Sequence, residues 1–345
     1  ACLYYRKVRG RLCFLMLHVD DIGALMPPDG VERERVKAIL ESRYAEMKEQ
    51  RGERITYIGM EVYQPKGSSR LHVNMERRIK AMGVDFGIET PSKVRANPAK
   101  TASSFMQAPS VDDEKLSDLR RYRSLVMTLQ YITLVRPHCK FHVSWLASRQ
   151  SSPTVRDWMK AVYLAEYLLS TVNDCITIKP AGENIVIRVY TDASFDVHPD
   201  SKSHSGLCVY VGEAGCAVFS SSNKQHCMTR SSTDAEIVAA EAGLFIGNYY
   251  RDVLDELGID SIVEQLQDNL SCCSLVETGT RAYDKKERHM VRRINFLKEY
   301  MDDVANRTIL TWCSTTEMTA DALTKDLHAE PFEKHKCALL GSSEV

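Results

Sequence analysis

Four acidic residues occupy positions where side chains of separate elements should meet. Asp192 interrupts the apolar run of a predicted strand in VYTDASF, Glu236 lies one turn into a predicted long helix, Asp268 ends the next strand, and Asp321 lies in a predicted last helix. Burying a carboxylate is costly unless a cation meets it, and gathered carboxylates raise one another's pKa. Mg²⁺ relieves both costs because it prefers oxygen ligands, and two such ions can drive displacement at a phosphodiester. The pattern therefore predicts a two-cation hydrolytic site.

Each acid taken alone has a structural explanation that stays open at this point. Glu236 suits the first turn of a helix, where the helix dipole favours negative charge. Asp268 precedes Asn269 and could cap the helix that begins there. Asp321 could lie on a solvated helix face. The metal hypothesis rests on the four acids occurring together.

The elements around these acids read as an α/β domain that opens with an antiparallel meander. Strands are predicted at 185–195, 206–212 and 215–222, with Gly212 and Gly215 marking a hairpin. A long helix is predicted over 231–258, with Ser232 or Thr233 as its N-cap and Gly258 as its stop. The order continues with a strand (261–267), helices (270–277 and 287–303), a strand (308–313) and a final helix (316–327).

The preceding residues read as a different arrangement of elements. LCFLMLHV and IGALM predict two strands joined by a tight turn, and a helix follows over 31–47. Residues 55–64 alternate like one strand, PKGSS is a turn, and a further strand follows it. Residues 90–111, rich in Pro, Ser and Thr, predict a linker. Helices are predicted over 115–135, 139–150 and 153–171.

Composition narrows the class of protein. The chain has 345 residues, of which 44% are hydrophobic and 26% charged, as in ordinary globular proteins. Its eleven cysteines form no CxxC pair, which indicates reduced thiols in an intracellular protein. The longest early apolar run is too short to span a bilayer, so no membrane partner is expected. Because the sequence begins at Ala1 within a predicted strand, we expect a piece of something longer.

A net charge of −1 conceals two halves of opposite sign. Residues 1–150 contain 26 Lys and Arg against 17 Asp and Glu, a balance of +9, and residues 151–345 contain 19 against 29, a balance of −10. A basic first half could hold a polyanion such as nucleic acid, which the acidic half would bind weakly by itself. Drift of charge along a long chain is the alternative explanation.

Several motifs of the second half together resemble one family. SSTDAE (231–236), SNKQ (222–225) and ADALTK (320–325) are similar to the ribonuclease H domain of Ty1/copia-type retrotransposon polyproteins. The resemblance implies a two-metal site for Mg²⁺ or Mn²⁺ that cleaves RNA in an RNA–DNA hybrid, and it assigns catalysis and metal binding to Asp192, Glu236, Asp268 and Asp321. It further implies substrate contacts for Ser232, Asn269 and His289.

The first half resembles the reverse transcriptase of the same polyproteins. LHVDD (17–21) is similar to the family's aromatic-V-D-D turn, which makes Asp20 and Asp21 catalytic metal ligands by resemblance. His18 replaces the usual aromatic residue, Met127 a usual Gly, and His138 a usual Asp. A polymerase also needs a third Asp on an earlier strand, and no acid precedes Asp20 here. We therefore expect no polymerase activity from this chain alone.

The resemblance covers nearly all of residues 1–327 and implies the domain organisation. Residues 1–89 form a truncated reverse transcriptase palm and thumb, 90–175 a linker and helical connection, 176–327 a ribonuclease H-like mixed sheet with flanking helices, and 328–345 an unassigned tail. The implied partners are an RNA–DNA hybrid, a template-primer and an upstream part of the same polyprotein. The implied location is a cytoplasmic virus-like particle, or the nucleus.

Two other functions stay open. A non-catalytic, decayed or domesticated nucleic-acid-binding relic explains the departures in the first half, but not four intact carboxylates. An integrase-like strand-transfer enzyme would use Asp303, which lies 35 residues after Asp268. That reading leaves Glu236 and Asp321 without roles.

Overall fold

The computed structural model describes residues 2–27, 29–44, 46–100, 105–107, 110, 112–279 and 288–342. It divides into two compact units, Ala1–Met75 and Glu76–Val345. The chain is a mixed α/β protein with several sheets, as the sequence predicts. No helix in the described part of the chain is both long and apolar enough to span a membrane.

The described residues of the Ala1–Met75 unit form two antiparallel meanders and one helix. Strands β1 (Cys2–Val8), β2 (Arg11–His18) and β3 (Asp21–Leu25) form the first meander, and helix α1 (Val31–Arg43) follows. Strands β4 (Arg54–Tyr57), β5 (Met60–Tyr63) and β6 (Leu71–Asn74) form the second.

The prediction of one strand over 55–64 was wrong. A two-residue turn at Ile58 and Gly59, both at positive φ, folds this segment into the β4–β5 hairpin. Positive φ is uncommon for a β-branched residue. An Ile-Gly pair is therefore not recognised as a turn from the sequence.

The Glu76–Val345 unit begins with packed helices. These are α2 (Glu76–Phe86), α3 (Leu119–Ile132), α4 (Lys140–Ser148) and α5 (Val155–Ser170). Large buried side chains, including Tyr122, Trp145 and Tyr167, fill the core between them. A capping box in which Thr154 and Asp157 exchange hydrogen bonds fixes the start of α5.

A five-stranded mixed sheet follows in the same unit. After the short strand β7 (Ile176–Ile178) come β8 (Ile185–Ser194), β9 (His204–Val211), β10 (Phe219–Lys224), β11 (Ser261–Gln267) and β12 (Thr308–Trp312). The sheet order is β10-β9-β8-β11-β12. The first three strands are antiparallel neighbours, whereas β11 runs parallel to both β8 and β12. The predicted strand over 215–222 was placed too early.

Helix α6 (Ser232–Glu256) packs closely on this sheet. A Cβ on Gly243 would lie 2.4 Å from Thr191 Cγ2, and one on Gly247 would lie 2.7 Å from Val263 Cγ1. These two glycines therefore permit the close approach. The predicted N-caps, Ser232 and Thr233, were wrong by one and two positions, because the Ser231 side chain accepts the hydrogen bond from the Asp234 backbone N–H.

The end of the chain differs most from the prediction. Helices α7 (Leu270–Thr278) and α8 (Arg288–Asp302) are present, but the predicted final helix over 316–327 is not. Short 3₁₀ turns at Thr315–Glu317 and Thr319–Leu323 replace it. The segment predicted as an unassigned tail contains helix α9 (Ala329–Leu340), whose Phe332 and Leu339 enter the hydrophobic cores.

Candidate metal centre

Parallel pairing of β8 and β11 brings two of the predicted acids to one edge of the sheet. Leu266 lies opposite Tyr190, so Asp192 and Asp268 each follow two residues later at neighbouring positions. Glu236 approaches from the beginning of α6. The carboxylate oxygens of Asp192, Glu236 and Asp268 lie within 4.8 Å of one another. Asp192 and Glu236 are buried, and Asp268 is half-buried.

The pKa of Glu236 records the electrostatic cost of this arrangement. Burial, followed by the neighbouring charges of Asp192 and Asp268, raises it to about 9. The metal-free site therefore keeps a proton on Glu236 at neutral pH. A bound cation would displace that proton and favour three charged carboxylates.

Asp321 is buried beside the group but lies outside it. Among the described residues, the set whose carboxylates converge within 4.8 Å does not include Asp321. Burial and the charge of Asp192 raise the Asp321 pKa to about 7, with Lys325 opposing the shift. Asp321 lies in a 3₁₀ turn, where the sequence predicts a helix.

Lys325 is a cation that the sequence argument did not assign to the site. Its Nζ lies 2.9 Å from Asp321 Oδ1 and 3.5 Å from Asp192 Oδ2. Burial disfavours its charge, but the carboxylates of Asp192 and Asp321 outweigh this and raise the Lys325 pKa. The preceding residue, Thr324, donates a hydroxyl hydrogen bond to Asp192 Oδ2. The ADALTK motif contains both residues, yet only Asp321 was given a role.

Hydrogen bonds from three neighbouring side chains position Glu236 and Asp268. Gln267 is fully buried and donates from Nε2 to Glu236 Oε2 at 3.3 Å. Asp268 accepts a hydrogen bond from the Thr315 hydroxyl at Oδ2, at 2.9 Å. The Trp312 indole N–H donates to the Asp268 backbone carbonyl, at 3.1 Å. The sequence analysis assigned no role to these three residues, although Gln267 belongs to the family-like segment LQDN (266–269).

The three residues proposed to contact substrate have different environments. Ser232 begins α6, next to the capping Ser231. Asn269 caps α7, its side chain accepting from the Cys272 backbone N–H at 2.9 Å. His289 is exposed on α8. The explanation of Asp268 as the N-cap of α7 is therefore wrong, because Asn269 occupies the N-cap position of that helix. The substrate roles stay predictions.

Asp20 and Asp21 lie in the other compact unit. Asp20 is in the turn between β2 and β3, and Asp21 begins β3 opposite His18. Both are exposed, and Asp21 Oδ2 accepts a hydrogen bond from the Ile58 backbone N–H at 3.2 Å. Their metal role stays a prediction.

Asp303, the acid of the integrase-like alternative, caps the 3₁₀ turn Val304–Asn306 that precedes β12. Because β11 and β12 are parallel, Asp303 lies before the start of one strand and Asp268 after the end of the other. The two acids therefore lie at opposite ends of these neighbouring strands and cannot share a cation.

The three converging carboxylates fit a divalent cation. They offer only oxygen ligands, which hard ions such as Mg²⁺ and Mn²⁺ accept. Burial and the charges of Asp192 and Asp268 raise the pKa of Glu236, and a bound cation would offset both effects. The group could therefore hold a metal.

Comparison with known proteins finds similarity to mobile-element polyproteins. No family model matches it. It is 25% identical over 338 residues to the retrovirus-related Pol polyprotein from transposon TNT 1-94 of Nicotiana tabacum, covering 96% of this chain and 25% of the relative. It is 27% identical over 331 residues to that of transposon RE2 of Arabidopsis thaliana, covering 94% and 22%. The chain is thus similar to Pol polyproteins of plant copia-type transposons. It spans about a quarter of the length of these relatives.

Solved structures with partial similarity include two kinds of protein. RNase H1 from Halobacterium salinarum matches with a TM-score of 0.30 and 18% identity, over 40% of this chain and 94% of that one. The foamy viral protease-reverse transcriptase in complex with dsDNA matches with a TM-score of 0.44 and 12% identity, over 87% of this chain and 55% of that one.

Proposed function

We propose that this Pol-related chain is a metal-dependent ribonuclease H that cleaves the RNA strand of an RNA–DNA hybrid. The observation that supports it is the convergence of Asp192, Glu236 and Asp268, from two strand ends and a helix, within 4.8 Å. Similarity to retrovirus-related Pol polyproteins from plant transposons favours a nucleic-acid substrate, and the resemblance of the sequence motifs implies an RNA–DNA hybrid.

The proposed roles follow from the environment of each side chain. Asp192, Glu236 and Asp268 would hold Mg²⁺ or Mn²⁺, which supplies a water activated for attack and neutralises charge on the scissile phosphate. Glu236 must lose its proton before it can act as a ligand. Asp321 and Lys325 would complete the charge balance beside Asp192. Gln267 keeps the Glu236 carboxylate oriented.

Asp20 and Asp21 form the remnant of a polymerase site in this proposal. Two exposed carboxylates at a hairpin could bind a metal together with a third acid and a nucleotide. Among the described residues, no third carboxylate joins them in a group that could hold a metal. We therefore propose that the Ala1–Met75 unit, in which Lys and Arg outnumber Asp and Glu by 13 to 10, serves substrate binding and does not extend a primer in this form.

The full chain is tested on a labelled RNA annealed either to DNA or to RNA. We expect cleavage of the hybrid with Mg²⁺ or Mn²⁺, none with EDTA, and none of the RNA duplex. Asp303→Asn is the matched control, because Asp303 is an exposed acid that only caps a turn. Loss of activity in Asp192→Asn but not in Asp303→Asn supports the site. No cleavage under any condition would favour the non-catalytic relic.

A further inference from the structure

Trp312 has an environment that core packing does not explain. It ends β12, and its side chain is 51% exposed, although two other tryptophans, Trp145 and Trp158, are buried or partly buried. In the parallel β11–β12 pair, Trp312 lies opposite Gln267. Gln267 is the residue directly before Asp268. The exposed ring therefore stands at the rim of the carboxylate group.

The ring is held there by its polar edge. The indole N–H donates to the Asp268 backbone carbonyl at 3.1 Å, which satisfies the donor and leaves the ring as an apolar surface. Thr315, three residues later, donates to the Asp268 carboxylate at 2.9 Å. The end of β12 and the following turn are thus both organised around Asp268.

The charge of the chain favours an apolar contact at this point. Residues 151–345 carry a balance of −10, so counterion release gives this part of the chain little affinity for a nucleic acid. Contact between an aromatic ring and a nucleotide does not require net positive charge. In an RNA–DNA hybrid the bases are already stacked, whereas the wide, shallow minor groove of an A-form-like duplex exposes sugar edges.

We propose that the Trp312 ring packs against sugar edges of the hybrid's minor groove, next to the phosphate at the metal centre. This rests on the proposed function. It makes Trp312 a substrate-binding residue and gives the acidic part of the chain its own contact with the hybrid. The contact adds affinity without placing another charge beside Asp268.

Fluorescence tests the contact without cleavage. In EDTA, a 12-base-pair hybrid should protect the full chain's tryptophan emission from acrylamide quenching. Trp312→Phe should abolish most of that protection, because Trp145 is already buried and Trp158 is partly buried. Unprotected emission in a saturated complex of the unsubstituted chain would overturn the proposal.

Kinetics separate a ring contact from a structural role. Trp312→Ala should raise the KM for hybrid cleavage about tenfold with little change in kcat, and Trp312→Phe should restore most of the loss. If the N–H bond to Asp268 were the only role, both variants would fail alike and Mn²⁺ binding would weaken. Phe245→Ala is the control, since this exposed aromatic lies nine residues beyond Glu236, about 13 Å along α6. An unchanged KM in Trp312→Ala, with cleavage still dependent on Asp192, would refute this contact alone.

Discussion

The raised pKa of Glu236 predicts how the stability of the metal-free chain depends on pH. In the unfolded chain this carboxyl has its ordinary pKa of 4.5, and in the folded chain burial, Asp192 and Asp268 raise it to about 9. Below pH 4.5 both states carry the proton. Between pH 4.5 and 9 only the folded state keeps it, so unfolding releases a proton and the free energy of unfolding falls as pH rises.

The magnitude follows from proton linkage. Each pH unit inside this window removes about 1.4 kcal/mol of stability through Glu236. Glu236→Gln keeps the shape of the side chain and the Gln267 contact site but cannot ionise. From pH 5 to pH 8 the variant should therefore gain about 4 kcal/mol relative to the unsubstituted chain.

The assay is urea unfolding in EDTA at several pH values, with both proteins measured side by side. The free energies of unfolding should diverge with pH, the variant becoming relatively more stable. Saturating Mg²⁺ should reverse the order at pH 8, because the ion stabilises only the protein that offers all three carboxylates. Parallel pH profiles in EDTA would refute the account of Glu236.

Three further perturbations test the surroundings of the site. Lys325→Met removes the ammonium 2.9 Å from a buried carboxylate and should lower the free energy of unfolding of the metal-free chain by about 2 kcal/mol, less with Mg²⁺ present. Asp326→Ala leaves the buried His142 Nε2, now 3.1 Å from Asp326 Oδ1, without its partner and should cost about 2 kcal/mol by thermal unfolding. Gly206→Ala places a Cβ 2.7 Å from Leu323 Cβ and should lower the free energy of unfolding by roughly 1–3 kcal/mol. The rate of hybrid cleavage should fall as well.

Each perturbation has a matched control in the chain. Lys325→Arg keeps the positive charge and should retain most of the stability that Lys325→Met loses. His142→Ala combined with Asp326→Ala should cost less than the sum of the single changes, because the two side chains share one contact. The control for Gly206→Ala is Ser274→Ala at an exposed position of α7, which should change neither the cleavage rate nor the free energy of unfolding. Equal losses from Lys325→Arg and Lys325→Met would contradict the charge argument.

The sequence predicted the acids of the site where local pattern decides their positions. The apolar runs before Asp192 and Asp268 predicted two strands, and β11 has the bounds expected, Ser261–Gln267. Because β8 and β11 are parallel, their ends meet at one edge. The position of Glu236 in the first turns of a long helix was predicted as well, because capping and stop residues mark the two ends of that helix.

Features that depend on distant residues could not be predicted in this way. Thr324 reaches Asp192 across 132 positions of the chain, and nothing local marks that contact. Residues 316–327 have a helical composition, but the segment folds into 3₁₀ turns around Asp321. The Ile58–Gly59 turn requires positive φ at a β-branched residue, which only the pairing of β4 with β5 enforces.

The most direct test of the central claim is the rate of RNA cleavage in an RNA–DNA hybrid, measured over a Mg²⁺ titration with the full chain and its Asp192→Asn variant. We expect cleavage by the unsubstituted chain to rise from zero in EDTA to a plateau. The rate for Asp192→Asn should be about a hundredfold lower at every Mg²⁺ concentration. Equal rates for the two proteins, or cleavage that persists in EDTA, would contradict the assignment of these carboxylates as a metal-dependent ribonuclease site.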